Sequence, residues 1–188
     1  MLHFLPRPIT GTLSLLLYIL NTLFWFVPVL LLALLKLPPI TRWQSWMTYL
    51  LDACAVAWIS VNNFTTRLFT RIRWHVSGLE KLSRKDWYLV LANHQSWADI
   101  LVLQKVFNRK IPFIKFFLKK ELIYVPVIGL CWWALDFPFM KRYSKAFLQR
   151  NPHLQGKDIE TTRRACRKFR FKPAAIMNFV EGTRFTRE

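Results

Sequence analysis

Residues 12–35, TLSLLLYILNTLFWFVPVLLLALL, run without a charged side chain. About 20 apolar residues suffice to cross the hydrocarbon core of a bilayer, so this stretch is long enough to span. A secretory signal is disfavoured, because its apolar region would be only about 7–15 residues long and small-residue cleavage chemistry is absent. Pro28 lies inside the run, which predicts a kink or break near Trp25 and Pro28 and keeps re-entrant and in-plane arrangements open. After Lys36 and the Pro38, Pro39 pair, residues 43–61 form a second apolar segment with one acid, Asp52. Its Trp43, Trp46, Tyr49 and Trp58 suit headgroup depth, so it reads as a second membrane-associated helix. The alternative is a helix packed on the domain that follows.

Charge divides the chain in two. Residues 1–62 carry three basic and one acidic side chain, a net +2, and residues 63–188 carry 25 basic and 9 acidic, a net +16. This predicts membrane-anchoring helices over 1–62 and a basic domain over 63–188 that stays on the cytoplasmic side. A chain that is 53% hydrophobic excludes disorder, which needs low hydrophobicity together with high charge. Cys54, Cys131 and Cys166 are odd in number and widely spaced, which fits reduced thiols and neither a disulfide framework nor a zinc ribbon. Phosphate-binding glycine loops are absent. The positive field attracts polyanions, but no nucleic-acid fold signature accompanies it, so no nucleic-acid partner is expected.

Within the basic domain, strand-like runs at residues 73–76, 87–92, 111–113 and 174–180 alternate with helical patterns at 98–107 and 158–171. Asp158 is positioned to cap the second helix, and Lys172 with Pro173 to stop it. The alternation predicts an α/β fold, a mixed sheet flanked by helices. Arg163, Arg164, Arg167, Lys168 and Arg170 form the densest cationic cluster, read as a solvated helix face or as a headgroup or carrier-protein contact.

The run WYLVLA ends in Asn93-His94-Gln95-Ser96-Trp97-Ala98-Asp99. This places His94 in a strand-to-helix turn and Asp99 about one helical turn later, within reach of the imidazole. A carboxylate on one ring nitrogen fixes the tautomer and leaves the other nitrogen basic, so the pair is a candidate general base. His94 and Asp99 have no companion cluster at ligand spacing, and no metal is expected. Two further stretches follow: DFPFMKR at 136–142, which ends an apolar run in a basic pair, and FVEGTRF at 179–185, a strand-end loop with Gly182 for a tight turn and Arg184 for an anion.

NHQSWAD, DFPFMKR and FVEGTRF, in that order, strongly resemble the three motifs of the glycerolipid acyltransferases, specifically the lysophosphatidic acid acyltransferase (1-acylglycerol-3-phosphate acyltransferase) family. The phrasing around them looks most similar to its YihG-type bacterial paralogues. The resemblance implies an O-acyltransferase of phospholipid biosynthesis at the bacterial inner membrane, with its catalytic domain on the cytoplasmic face. It implies His94 as the base that deprotonates an acceptor hydroxyl and Asp99 as the group that orients it. Acyl-CoA or acyl carrier protein would be the donor substrate, a lysophospholipid the acceptor, and no cofactor would be required. By the same resemblance Arg142, Glu181, Gly182, Thr183 and Arg184 would bind the phosphate and glycerol of the acceptor, with Lys119 as a further phosphate contact. Other acceptors keep the chemistry: another lysolipid, an ornithine-type lipid or glycerol 3-phosphate. A non-catalytic basic membrane adaptor would explain the charge and leave His94 and Asp99 without a role. The family's fourth motif, a Pro-containing strand beyond EGTR, has no counterpart before Glu188, which predicts a domain truncated at its C-terminus.

Overall fold

The uncharged run is one helix, α1 (Arg7–Leu35), in a computed structural model that describes residues 6–140, 149–150 and 156–180. At about 1.5 Å per residue such a helix is roughly 43 Å long. Among the described residues it is the one helix long and apolar enough to cross a membrane. Pro28 does not end it: the helix continues to Leu35, and the turn after the proline is held by packing, with Val29 and Ala33 buried. Most of the remaining surface is apolar and exposed, with Leu15, Phe24, Val27 and Leu31 all more than half accessible.

The chain reverses after Lys36 and returns as α2 (Thr41–Phe69), which packs along α1. This helix continues past the expected end at residue 61, across the predicted boundary at 62. Its polar final turns find partners inside the hairpin. Asn21 Nδ2 donates to Asn62 Oδ1 at 2.8 Å and to the Trp58 carbonyl at 3.0 Å, while the Tyr18 and Thr66 hydroxyls lie 2.7 Å apart. In apolar surroundings such groups need partners, so a polar seam can prolong a helix that hydropathy alone would end.

Strands β1 (Tyr88–Ala92), β2 (Ile114–Phe116) and β5 (Ala175–Phe179) form a parallel sheet in the order β1–β5–β2, with Val90 beside Met177 and Ile114 beside Ala175. A separate parallel pair joins β3 (Leu118–Lys119) to β4 (Phe139–Met140). The α/β reading holds, and every pairing among the described residues is parallel where a mixed sheet was expected. Parallel strands need crossovers, and α3 (Ala98–Phe107) supplies one with the predicted bounds. Residues 73–76 have strand-like alternation but form no ladder, since a strand requires an edge to pair with. The run at 111–113 joins the sheet only from Ile114, because Pro112 has no N–H to donate.

A short helix, α4 (Ile128–Ala134), lies against the 3-10 turn Lys120–Tyr124. The contact requires Gly129, where a Cβ would meet the Ile123 carbonyl. The last helix among the described residues, α5 (Lys157–Cys166), starts after Gly156 in a left-handed conformation, so the N-cap position falls on Gly156 and not on Asp158 as expected. It tightens into a 3-10 turn, Arg167–Phe171, before Lys172. Arg163, Arg164, Arg167 and Arg170 are exposed.

The core sits between hairpin and sheet. Leu51, Ala55 and Ile59 of α2 and Val29 and Ala33 of α1 meet Phe113, Phe116, Phe137, Ala175 and Met177. The leader therefore has two faces, one buried on the domain and one apolar and exposed, which suits contact with lipid.

Candidate active site

Strand β1 ends at Ala92 and α3 begins at Ala98, so the intervening turn projects His94 from the C-terminal edge of the sheet. Asp99, in the first turn of α3, folds its carboxylate back over that turn. One oxygen, Oδ2, accepts the Gln95 N–H at 2.7 Å and the Ser96 N–H at 2.8 Å, and lies 3.1 Å from His94 Nδ1. Ser96 Oγ accepts the Ala98 N–H at 3.0 Å, which ties the turn to the start of the same helix. The Ser96 amide, then the His94 ring and the Gln95 amide, hold the Asp99 carboxyl below the usual carboxylate range, against the desolvation that would raise it. An ionised Asp99 makes Nδ1–H the donor and Nε2 the basic nitrogen of the imidazole.

Aromatic rings fix the plane of that imidazole. Phe179 stacks on it with centroids 3.9 Å apart and planes at 18°, and Trp97 meets it edge-on at 6.5 Å. The sheet register explains the stack, since Phe179 of β5 lies beside Ala92 of β1, two residues before His94. Neither ring was singled out from the sequence, although Trp97 lies inside the first motif and Phe179 opens the third.

Trp97 and Phe179 also line a cavity of about 470 Å³ that runs between hairpin and sheet. Its walls are apolar and come from every layer: Trp25 and Val29 of α1, Trp58 of α2, Ile100 of α3, Met177 of β5 and Trp132 of α4. Cys131 lines it too, and burial pushes its thiol up to about 11, which excludes a thiolate nucleophile near neutral pH. Lys119, an exposed residue of β3, borders the same cavity. The structure thus brings Lys119 and the rings on His94 around one space. Arg142, Glu181, Gly182, Thr183 and Arg184 lie outside the described residues. Among the described residues no three His, Cys, Asp or Glu side chains come together as metal ligands. A carboxylate-held imidazole whose flanking rings line an apolar cavity can take a proton from a hydroxyl while an attached hydrocarbon chain is shielded from water.

Residues 73–188 match the family model described as Acyltransferase. A 1-acyl-sn-glycerol-3-phosphate acyltransferase of Saccharomyces cerevisiae is 32% identical over 129 residues, 68% of this chain and 38% of that protein. A 1-acyl-sn-glycerol-3-phosphate acyltransferase of Pseudomonas aeruginosa is 32% identical over 127 residues, 68% of this chain and 44% of that protein. The chain spans about two fifths of the length of these curated relatives. No solved structure matches it.

Proposed function

The chain belongs to the Acyltransferase family, and we propose from that premise that it moves an acyl chain from a thioester donor to the free hydroxyl of lysophosphatidic acid, making phosphatidic acid. The names of the two relatives support this acceptor. The observation that carries the mechanism is the clamp of three donors on Asp99 Oδ2, one of them His94 Nδ1. His94 Nε2 takes the hydroxyl proton, the alkoxide oxygen attacks the thioester carbonyl, and a tetrahedral intermediate forms. That attack makes the C–O ester bond; collapse of the intermediate restores the carbonyl and breaks the C–S bond, and the departing thiolate takes the proton from His94. Asp99 stays ionised throughout, holding Nδ1–H and stabilising the transient imidazolium. No acyl-enzyme is formed.

The cavity of about 470 Å³ beside His94 would hold a hydrocarbon chain, and its α1 and α2 walls would open it toward the bilayer. Lys119, with Arg142, Glu181, Gly182, Thr183 and Arg184, would hold the acceptor's phosphate and glycerol; arginine offers bidentate hydrogen bonds and lysine a point charge. Acyl-CoA or acyl carrier protein is the donor in this reading, and the protein works at the cytoplasmic face of a bacterial inner membrane, anchored by α1. The full-length protein in membranes, given lysophosphatidic acid with either donor, should form phosphatidic acid detectable by mass spectrometry. His94→Ala should lower the rate by at least about 10²-fold. Undiminished product in that variant refutes the base, and no product from wild type with either donor refutes the acceptor.

A further inference from the structure

Beneath the turn between α1 and α2 lies a second cavity, of about 690 Å³, separated from the apolar one by Phe137, which lines both. It sits at the other end of the sheet from His94. His94 follows β1, whereas Lys172, Pro173 and Ala174, which border this cavity, precede β5, and the two strands run parallel.

Four cations and two carboxylates line it: Lys36, Arg42, Lys115 and Lys172 against Asp52 and Asp136. Lys36 pairs with Asp136. Asp52 is shared between two ammonium groups, with Lys115 Nζ donating to Oδ1 at 2.9 Å and Lys172 Nζ to Oδ2 at 2.6 Å. Lys115 is 3% exposed and also donates to the Leu135 carbonyl at 2.6 Å; Lys172 also donates to the Thr48 carbonyl at 3.2 Å. One carboxylate thus balances two enclosed ammonium groups, and Arg42, exposed at the rim, adds a further positive charge. The lining keeps a net +2. Enclosed charge of one sign is costly until an ion of the other sign joins it, and Thr41 and Ser45, which also line the cavity, carry hydroxyls of the kind that donate to an oxyanion.

The surroundings indicate the source of that anion. Trp43, Trp46 and Tyr49 stand exposed on the first turns of α2, directly after the exposed apolar length of α1. The Trp43 indole donates to the Leu35 carbonyl at 2.6 Å and fixes the turn. Aromatic side chains and cations at the end of an apolar helix belong at headgroup depth. We propose that this cavity is a binding site for the phosphate of an anionic phospholipid headgroup, with Arg42 at its entrance and the cluster around Asp52 as its floor. The site rests on the leader lying in the membrane and does not use the transfer chemistry.

The test is native mass spectrometry of the detergent-purified protein with added phosphatidylglycerol or phosphatidylcholine. Phosphatidylglycerol should stay bound in preference to phosphatidylcholine. Arg42→Gln should lower its occupancy about fivefold, the effect of one basic residue near a lipid phosphate. Arg163→Gln, which removes the same charge from the exposed face of α5, should leave occupancy unchanged. Equal retention of the two lipids, or equal losses in the two variants, would overturn the site in favour of diffuse attraction. Excess inorganic phosphate at constant ionic strength separates the sources: persistence of the bound lipid supports the headgroup, and its displacement would assign the cavity to a soluble phosphate and overturn the lipid assignment.

Discussion

Asp52→Asn removes the charge that joins hairpin to sheet while keeping the side chain's size. In the native protein the Asp52 carboxylate receives two ammonium groups, each less than one fifth exposed. After the substitution Lys115, 3% exposed, keeps the Leu135 carbonyl but no counter-charge within bonding distance among the described residues. Because no cavity is created, the loss is electrostatic, and leaving a buried charge without its partner costs about 3–5 kcal/mol. For a chain of this size each kcal/mol moves Tm by about 2–4 °C, so the variant should melt roughly 6–20 °C lower. Tryptophan fluorescence on heating in detergent reads this directly. Burial already pushes the Lys172 ammonium below its usual range, and Asp52 pulls it back. A lysine whose folded pKa is lowered releases its proton on folding, so stability rises with pH from that lowered value up to 10.5. The deficit of Asp52→Asn should accordingly narrow as the buffer becomes alkaline. Asp52→Leu combined with Lys115→Met should recover much of the loss, since apolar residues of similar volume often replace a buried pair without penalty. A Tm for Asp52→Asn within about 2 °C of wild type would refute the reasoning, and so would a double variant less stable than the single.

Asp99→Asn should cut the transfer rate by about 10³–10⁴-fold while preserving the fold, because an amide no longer fixes the His94 tautomer; a loss below tenfold would remove Asp99 from the mechanism. Its carboxyl is held below the usual 3.8, so its contribution to stability is present above that value and lost as pH falls through the folded pKa. Chemical denaturation should therefore show a wild-type advantage over Asp99→Asn that is constant from about pH 5 to 8 and shrinks in acid. Cys54→Phe places a ring in the wall of the apolar cavity and should shift donor preference toward shorter acyl chains; an unchanged chain-length profile would show that the cavity does not hold the chain.

Much of this protein is legible in one dimension because the physics involved is local. A long uncharged run has to meet lipid or a core, and alternation with the 98–107 helical period makes an α/β domain. His94 and Asp99 are five residues apart across a strand-to-helix turn, so their contact needs no long-range folding. Other features depend on partners distant in sequence. The end of α2 is set by Asn21 and Tyr18, some 40 residues or more away, which satisfy polar groups that hydropathy counts against a helix. Residues 73–76 have the alternation of a strand and no edge to pair with, and Pro112 delays β2 by denying the sheet an N–H. Phe179 reaches His94 only because β5 inserts beside β1 in one register, and neither cavity exists until the hairpin folds onto the sheet. The sequence by itself determined the long apolar leader helix, the bounds of α3 and the His94–Asp99 contact, since each follows from neighbours within a few turns. Only the tertiary structure decided that one face of the leader completes the core, that Asp52 serves two lysines 63 and 120 residues away, and that the space beside His94 is apolar, because burial and charge compensation depend on which distant surfaces meet.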